Sequence, residues 1–121
     1  MGTQCMTANG ISCAVTNSSE VLIRDTQSAL EWMVNTQYET GCDRMAINRE
    51  AIADRFFILG SGLAGDVLQK FVNYQVRLAI YGDFTPFLSK PMRDFIWESN
   101  RGSHVAFVAS AEEAVAALCR V

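Results

Sequence analysis

The chain opens with two short runs of strand-forming residues, 4–8 and 11–16, separated by Asn9-Gly10. Asn-Gly accepts the positive φ angles of a type I′ turn, so this stretch predicts an antiparallel hairpin. A polar turn, Asn17-Ser18-Ser19, and the apolar Val21-Leu22-Ile23 then lead to Asp25, whose carboxylate suits a helix N-cap. Leu30, Met33, Val34 and Tyr38 recur at helical spacing up to about residue 39, and Gly41 supplies the stop. Residues 44–48 predict a short strand.

Residues 49–58 mix helical and apolar character and predict a short helix or an irregular connection. Ser61 is expected to cap the next helix, with Ala64, Val67, Leu68 and Phe71 as its buried stripe. The nearly unbroken apolar run 76–81, with Arg77 its exception, fits a parallel strand covered on both faces. Gly82-Asp83 ends that strand. Ser89 and Pro91 start a further helix with Met92, Phe95 and Ile96 inward and Gly102 at its end, and residues 104–109 form the last strand. Ser110-Ala111-Glu112-Glu113 has the form of a capping box ahead of Ala114, Val115 and Leu118.

The order β-β-α-β-α-β-α-β-α predicts an α/β sandwich, with an N-terminal hairpin and a mixed sheet that is parallel in its later part. No repeat or linker divides residues 1–121, so a single domain is expected. Its core is expected to include Val67, Leu68, Phe71, Leu78, Ile80, Phe95, Ile96, Phe107, Val115 and Leu118.

Composition narrows the function classes. A formal charge of −3 offers no general attraction for nucleic acid or anionic lipid. With no Lys/Arg-led apolar leader and no long apolar run, neither a signal peptide nor a membrane span is expected, and a cytoplasmic location follows. Cys5, Cys13, Cys42 and Cys119 form no Cys-x-x-Cys pair, and His104 is the single histidine, so no metal centre or cofactor is expected and the thiols read as reduced. Half the residues are hydrophobic, which favours some shared apolar surface and a homodimer.

Ser61-Gly62-Leu63 at the helix mouth between the third and fourth strands, taken with the element order, resembles the STAS domain (sulfate transporter and anti-sigma-factor antagonist). That resemblance implies a regulatory domain in which a hydroxyl at this position is phosphorylated to switch partner binding. Members commonly carry an aspartate ahead of the hydroxyl residues, where Leu59 and Gly60 stand here. Over nearly its whole length the chain resembles bacterial proteins of domain-of-unknown-function family 4180. The matching residues are the Asn9-Gly10 turn and the segments 26–30, 62–71, 82–84 and 93–102. This second resemblance implies no activity and no catalytic residues.

In open α/β sheets, ligands gather at the carboxyl ends of parallel strands. The expected strand ends put Asn48, Ser61, Gly62, Asp83, Phe84 and Ser110 there. Ser61 reads in three ways: as a cap, as part of an anion- or partner-facing rim, or as a phosphorylation site. Arg93 and Trp97, four apart on one helix, read as a solvated helix surface, as a protein-docking face or as a grip for a planar or anionic ligand. Gly60, Gly62 and Gly65 have Gly-x-Gly-x-x-Gly spacing, but the stretch lacks the lysine of a P-loop. His104 is expected at the end of its strand away from Ser61 and Asp83, which leaves no Ser/His/Asp set. The expected function is therefore a non-enzymatic regulatory or protein-interaction domain. The alternative is a small-molecule binder or small enzyme with a polar pocket around Ser61 and Asp83, the latter serving as acid/base.

Overall fold

A computed structural model describes residues 2–120. In chain order the elements are β1 (Gly2–Ala8), β2 (Ile11–Asn17), α1 (Thr26–Thr40), β3 (Arg44–Asn48), α2 (Leu63–Asn73), β4 (Arg77–Tyr81), α3 (Lys90–Arg101), β5 (Val105–Val108) and α4 (Ala111–Leu118). The strands form one five-stranded sheet in the order β1-β2-β3-β4-β5, with β1 antiparallel to β2 and every later pair parallel. This is the expected α/β order. Asn9 and Gly10 sit at φ 55° and 76°, the left-handed pair that a type I′ turn requires.

Strand parity sorts the side chains onto two unlike faces. Ala14, Met45, Ile47, Leu78, Ile80 and Phe107 face the main core, where Met33 of α1, Phe71 of α2 and Met92 of α3 are buried. Because each parallel strand lies beside its predecessor, all three crossovers step in one direction, and crossovers of one hand then put their helices on one face. The opposite face is built from Cys13, Ala46 and Ala79, and these small side chains let the short helix α4 seat Ala114 and Leu118 closely. A guanidinium N–H of Arg44 on β3 donates to the carbonyl of Leu118, satisfying one of the last acceptors of α4.

Local chemistry explains most helix ends. Asp25 accepts from the Ser28 amide at 2.8 Å, and Gly41 closes α1 at φ 72°. Ser89 and Ser110 cap α3 and α4 through the Met92 and Glu113 amides. The return arm of the α4 box is displaced by one residue, with Glu113 accepting from the Ala109 amide at 3.0 Å.

Several expectations are corrected. Val34 and Tyr38 are 49% and 91% exposed, and α1 buries Ala29, Trp32, Met33 and Thr36 instead. The apolar residues at helical spacing thus overlap the inward stripe only in part. Phe95, Ile96 and Val115 are half-buried, because α3 and α4 lie at the margins of the core. Between β3 and α2 the chain forms three 3₁₀ turns, Arg49–Ala51, Asp54–Phe57 and Leu59–Ser61. Phe56 and Phe57 in the second turn are buried. Among the described residues no helix is long and apolar enough to cross a membrane.

Candidate functional site

The carboxyl ends of β2, β3, β4 and β5 bring Asn17, Asn48, Tyr81 and Val108 to one rim of the sheet. Asn48 is 5% exposed and already committed. Its Nδ2 donates to the Ser18 carbonyl at 2.7 Å and its Oδ1 accepts from the Ser18 amide at 2.8 Å, so it ties the loop after β2 to the end of β3. Beside this tie, Asn17, Ser18, Ser19, Asn48 and Glu50 line an open groove of about 390 Å³. Tyr81 spans the other face of the rim, donating its hydroxyl to the Thr16 carbonyl at 2.9 Å. Burial first, then the carboxylates of Glu50 and Glu112, raises the pKa of this phenol.

Ser61 belongs to the last 3₁₀ turn and is not the N-cap of α2. Gly62 takes that place at φ 79°, a left-handed conformation that costs glycine little. The Ser61 hydroxyl donates to the Arg55 carbonyl at 2.7 Å and accepts from the Leu63 amide at 3.2 Å. It therefore serves one of the orphan amides of α2 from one position further back. Arg55 in turn donates to the Arg24 carbonyl at 2.9 Å, fastening this connection to the approach to α1.

Asp83 lies in an exposed turn, where its Oδ1 accepts from both the hydroxyl and the amide of Thr85. Those hydrogen bonds, with the hydroxyl contributing most, hold its carboxyl below the usual carboxylate range and leave it ionised, a poor setting for proton donation. Asp83 and Ser61 share no hydrogen bond among the described residues. The residue after Asp83, Phe84, approaches instead Phe57 of the second 3₁₀ turn, with 5.9 Å between the rings. Ser110 is the α4 cap, and His104 lies exposed at the start of β5, away from this rim. Among the described residues, no group of His, Cys, Asp and Glu is placed to hold a metal ion.

Arg49 and Phe87, which also meet beside the rim, are not anticipated from the sequence. Arg49 runs beneath the β4–α3 turn, with its guanidinium 5.3 Å from the Phe87 ring centroid and 3.2 Å from the Glu50 carboxylate. A Cβ at Gly82 would meet the Arg49 Cβ at 3.0 Å, so Gly82 lets the two segments approach. Phe87 stacks on Phe57 at 4.6 Å. The only local signal for Arg49 was its place next to Asn48, since its partners lie far along the chain.

The other candidates lie on α3. Arg93 and Trp97 are exposed, Trp97 to 60%. The cation over the indole belongs to Arg101, 4.6 Å from the ring, so the gripping pair is one helical step later than Arg93 and Trp97. Lys90 pairs with Asp94 at 2.9 Å on this helix, and no carboxylate partner holds Arg93 or Arg101 among the described residues.

A family model described as domain of unknown function (DUF4180) matches residues 8–118, and the chain belongs to that family. No curated protein and no solved structure matched the chain.

Proposed function

We propose that this member of the DUF4180 family is a non-enzymatic regulatory or protein-interaction domain, STAS-like in fold, that meets a protein partner across the outer face of α3. The observation that carries the reading is Trp97, a large apolar ring left 60% exposed yet held in place by the Arg101 guanidinium. Tryptophan and arginine are the side chains that most often dominate protein interfaces, and a ring already fixed by a neighbour loses less freedom on binding. Arg93, Trp97 and Arg101 lie four residues apart in succession, so they share one side of α3. The STAS-like reading is supported by the hairpin, the sequential parallel strands and a terminal helix on the face opposite α1, α2 and α3. A bacterial, cytoplasmic setting accompanies that resemblance.

The commitments at the rim support the same choice. Asn48, Ser61 and Ser110 spend their side-chain polar atoms on nearby groups, and Asp83 turns one carboxylate oxygen to Thr85. A second reading, a small polar ligand, rests on the groove beside Asn48, which neither Ser61 nor Asp83 lines.

The test is a photo-crosslinking aromatic amino acid placed at position 97 in the native cell, with the same group at position 38 as the control. A discrete adduct is expected at position 97, and it should vanish when Arg93 and Arg101 are replaced by Glu. Equal labelling at both positions would overturn the α3 surface as the docking face.

A further inference from the structure

The two edges of the sheet are finished differently. At β5 the groups paired with β4 include the His104 and Val108 carbonyls, so the alternate residue Phe107 turns its N–H and C=O outward. Both are taken by one side chain, with Asn100 Nδ2 donating to the Phe107 carbonyl at 3.0 Å and its Oδ1 accepting from the Phe107 amide at 2.7 Å. At Phe107 that edge is closed by the protein itself.

The β1 edge is open. Ala8 and Ile11 flank a two-residue type I′ turn, whose carbonyl-to-amide hydrogen bond makes them a hydrogen-bonded pair. Antiparallel pairs alternate, so Met6↔Cys13, Gln4↔Val15 and Gly2↔Asn17 are bonded pairs as well. The N–H and C=O of Thr3, Cys5 and Thr7 consequently point away from the sheet. Protein edges are ordinarily guarded by lysine, proline, a bulge or a short strand. β1 has none of these: it is 7 residues long, carries no charge and no proline, and keeps unbroken register with β2.

We propose that β1 pairs antiparallel with β1 of a second copy of this chain, about a two-fold axis at Cys5, joining two sheets edge to edge. Cys5 then opposes Cys5 of the second copy, and Thr3 opposes Thr7 in both directions. In that register every outward N–H of Thr3, Cys5 and Thr7 meets an outward C=O. The occupant is a second copy because the strand is complementary to itself in this register. Threonine pairs are favourable across antiparallel strands, and β1 itself carries no charge that would set it against its twin across the axis. The interface is isologous and closes as a dimer, and its small extent makes the association concentration-dependent. It is independent of the α3 surface.

Sedimentation of the full chain over a concentration series tests the pairing, together with hydrogen exchange of the Thr3, Cys5 and Thr7 amides. The expected result is a dimer that dissolves on dilution, with those amides protected only in the dimer. Cys5→Lys opposes like charges across the axis, and Cys5→Pro deletes an outward N–H while sparing the bonds to β2; each should abolish the dimer while circular dichroism stays unchanged. A chain that is monomeric throughout overturns the proposal. So does a dimer that persists in both variants or leaves the three amides unprotected, and so does an edge occupied instead by a strand of another protein.

Discussion

The side-chain amide of Asn100 gives Phe107 the two hydrogen bonds that a sixth strand would give, at 3.0 and 2.7 Å. An asparagine in the last turn of α3 thereby ends the sheet at β5 and fastens the helix to the strand. Asn100→Ala leaves both backbone groups without these partners. Losses of this kind cost about 1–3 kcal/mol for each stranded group, reduced where water reaches it. Chemical denaturation should show a clear drop in stability, and the newly opened edge should make the variant more prone to aggregate than the parent. An unchanged denaturation midpoint would mean that Asn100 does not hold this edge.

Asn48 does comparable work inside the rim. Its bonds to Ser18 are buried on both sides, so Asn48→Ala should destabilise the fold by roughly 1–3 kcal/mol and loosen the loop between β2 and α1. Amide exchange reads the second effect directly, because the Ser18 N–H loses its acceptor. Fast exchange at Ser18 with slow exchange retained at β4 is the expected pattern. Equal protection of Ser18 in variant and parent would contradict the tie.

What could be read from the sequence was chemistry that closes over a few residues. The caps at Asp25, Ser89 and Ser110, the stop at Gly41 and the Asn9-Gly10 turn are all of that kind, as is the Ala64, Val67, Leu68 and Phe71 stripe of α2. Residues 49–58 were not legible, because their turns are held by contacts with distant segments. Phe57 stacks on Phe87 across the β4–α3 connection, and the Asn48–Ser18 tie spans 30 positions. Serine is favoured as a cap, which points to Ser61, whereas the chain needs the positive φ of Gly62 at that point. Helical spacing points to Trp97 beside Arg93, but not to Arg101 as the residue that covers the indole.

Phe57 anchors the stretch that sequence left open. Its ring meets Phe56 edge-on at 5.1 Å, stacks on Phe87 at 4.6 Å and approaches Phe84 at 5.9 Å. Phe57→Ala should cost about 3–5 kcal/mol, as aromatic truncations in a packed core do. Phe57→Leu should recover a large part of that loss, since it keeps most of the apolar volume. Thermal melts of the pair provide the check. A Phe57→Ala melt matching the parent would show that the 3₁₀ connection packs on something else.

Thiol reactivity separates Cys5 from the other cysteines. Cys13, Cys42 and Cys119 are buried, and the Cys13 pKa is pushed up to about 12, mainly by burial and then by the neighbouring Cys119 thiol. A reagent cannot reach a thiol packed inside the core, so burial shields all three while the fold holds. Brief alkylation of the native protein should therefore add one label, at Cys5, and denaturation should expose the rest. Native labelling at Cys13 as fast as at Cys5, followed by peptide mass spectrometry, would contradict the packing of α4 against β2.

Acid sensitivity follows from the turns at Asp25 and Asp83. Both carboxyls sit below their ordinary range, Asp25 because it accepts first from the Ser28 amide and then from its hydroxyl, Asp83 because it accepts from Thr85. A carboxyl whose pKa is lower folded than unfolded contributes stability in full above the unfolded value of about 4. That contribution is lost as the pH falls through the folded value, because the protonated group no longer accepts these hydrogen bonds as an anion. Both side chains are exposed, so salt and solvent weaken the effect. Asparagine keeps the capping geometry at position 25 without the titration. The Asp25→Asn, Asp83→Asn double variant should match the parent in melting temperature to within a few degrees at neutral pH. Below about pH 4 its melting temperature should fall less steeply than that of the parent. Parallel curves for the two proteins down to the acid limit would show that these turns do not set the acid limb.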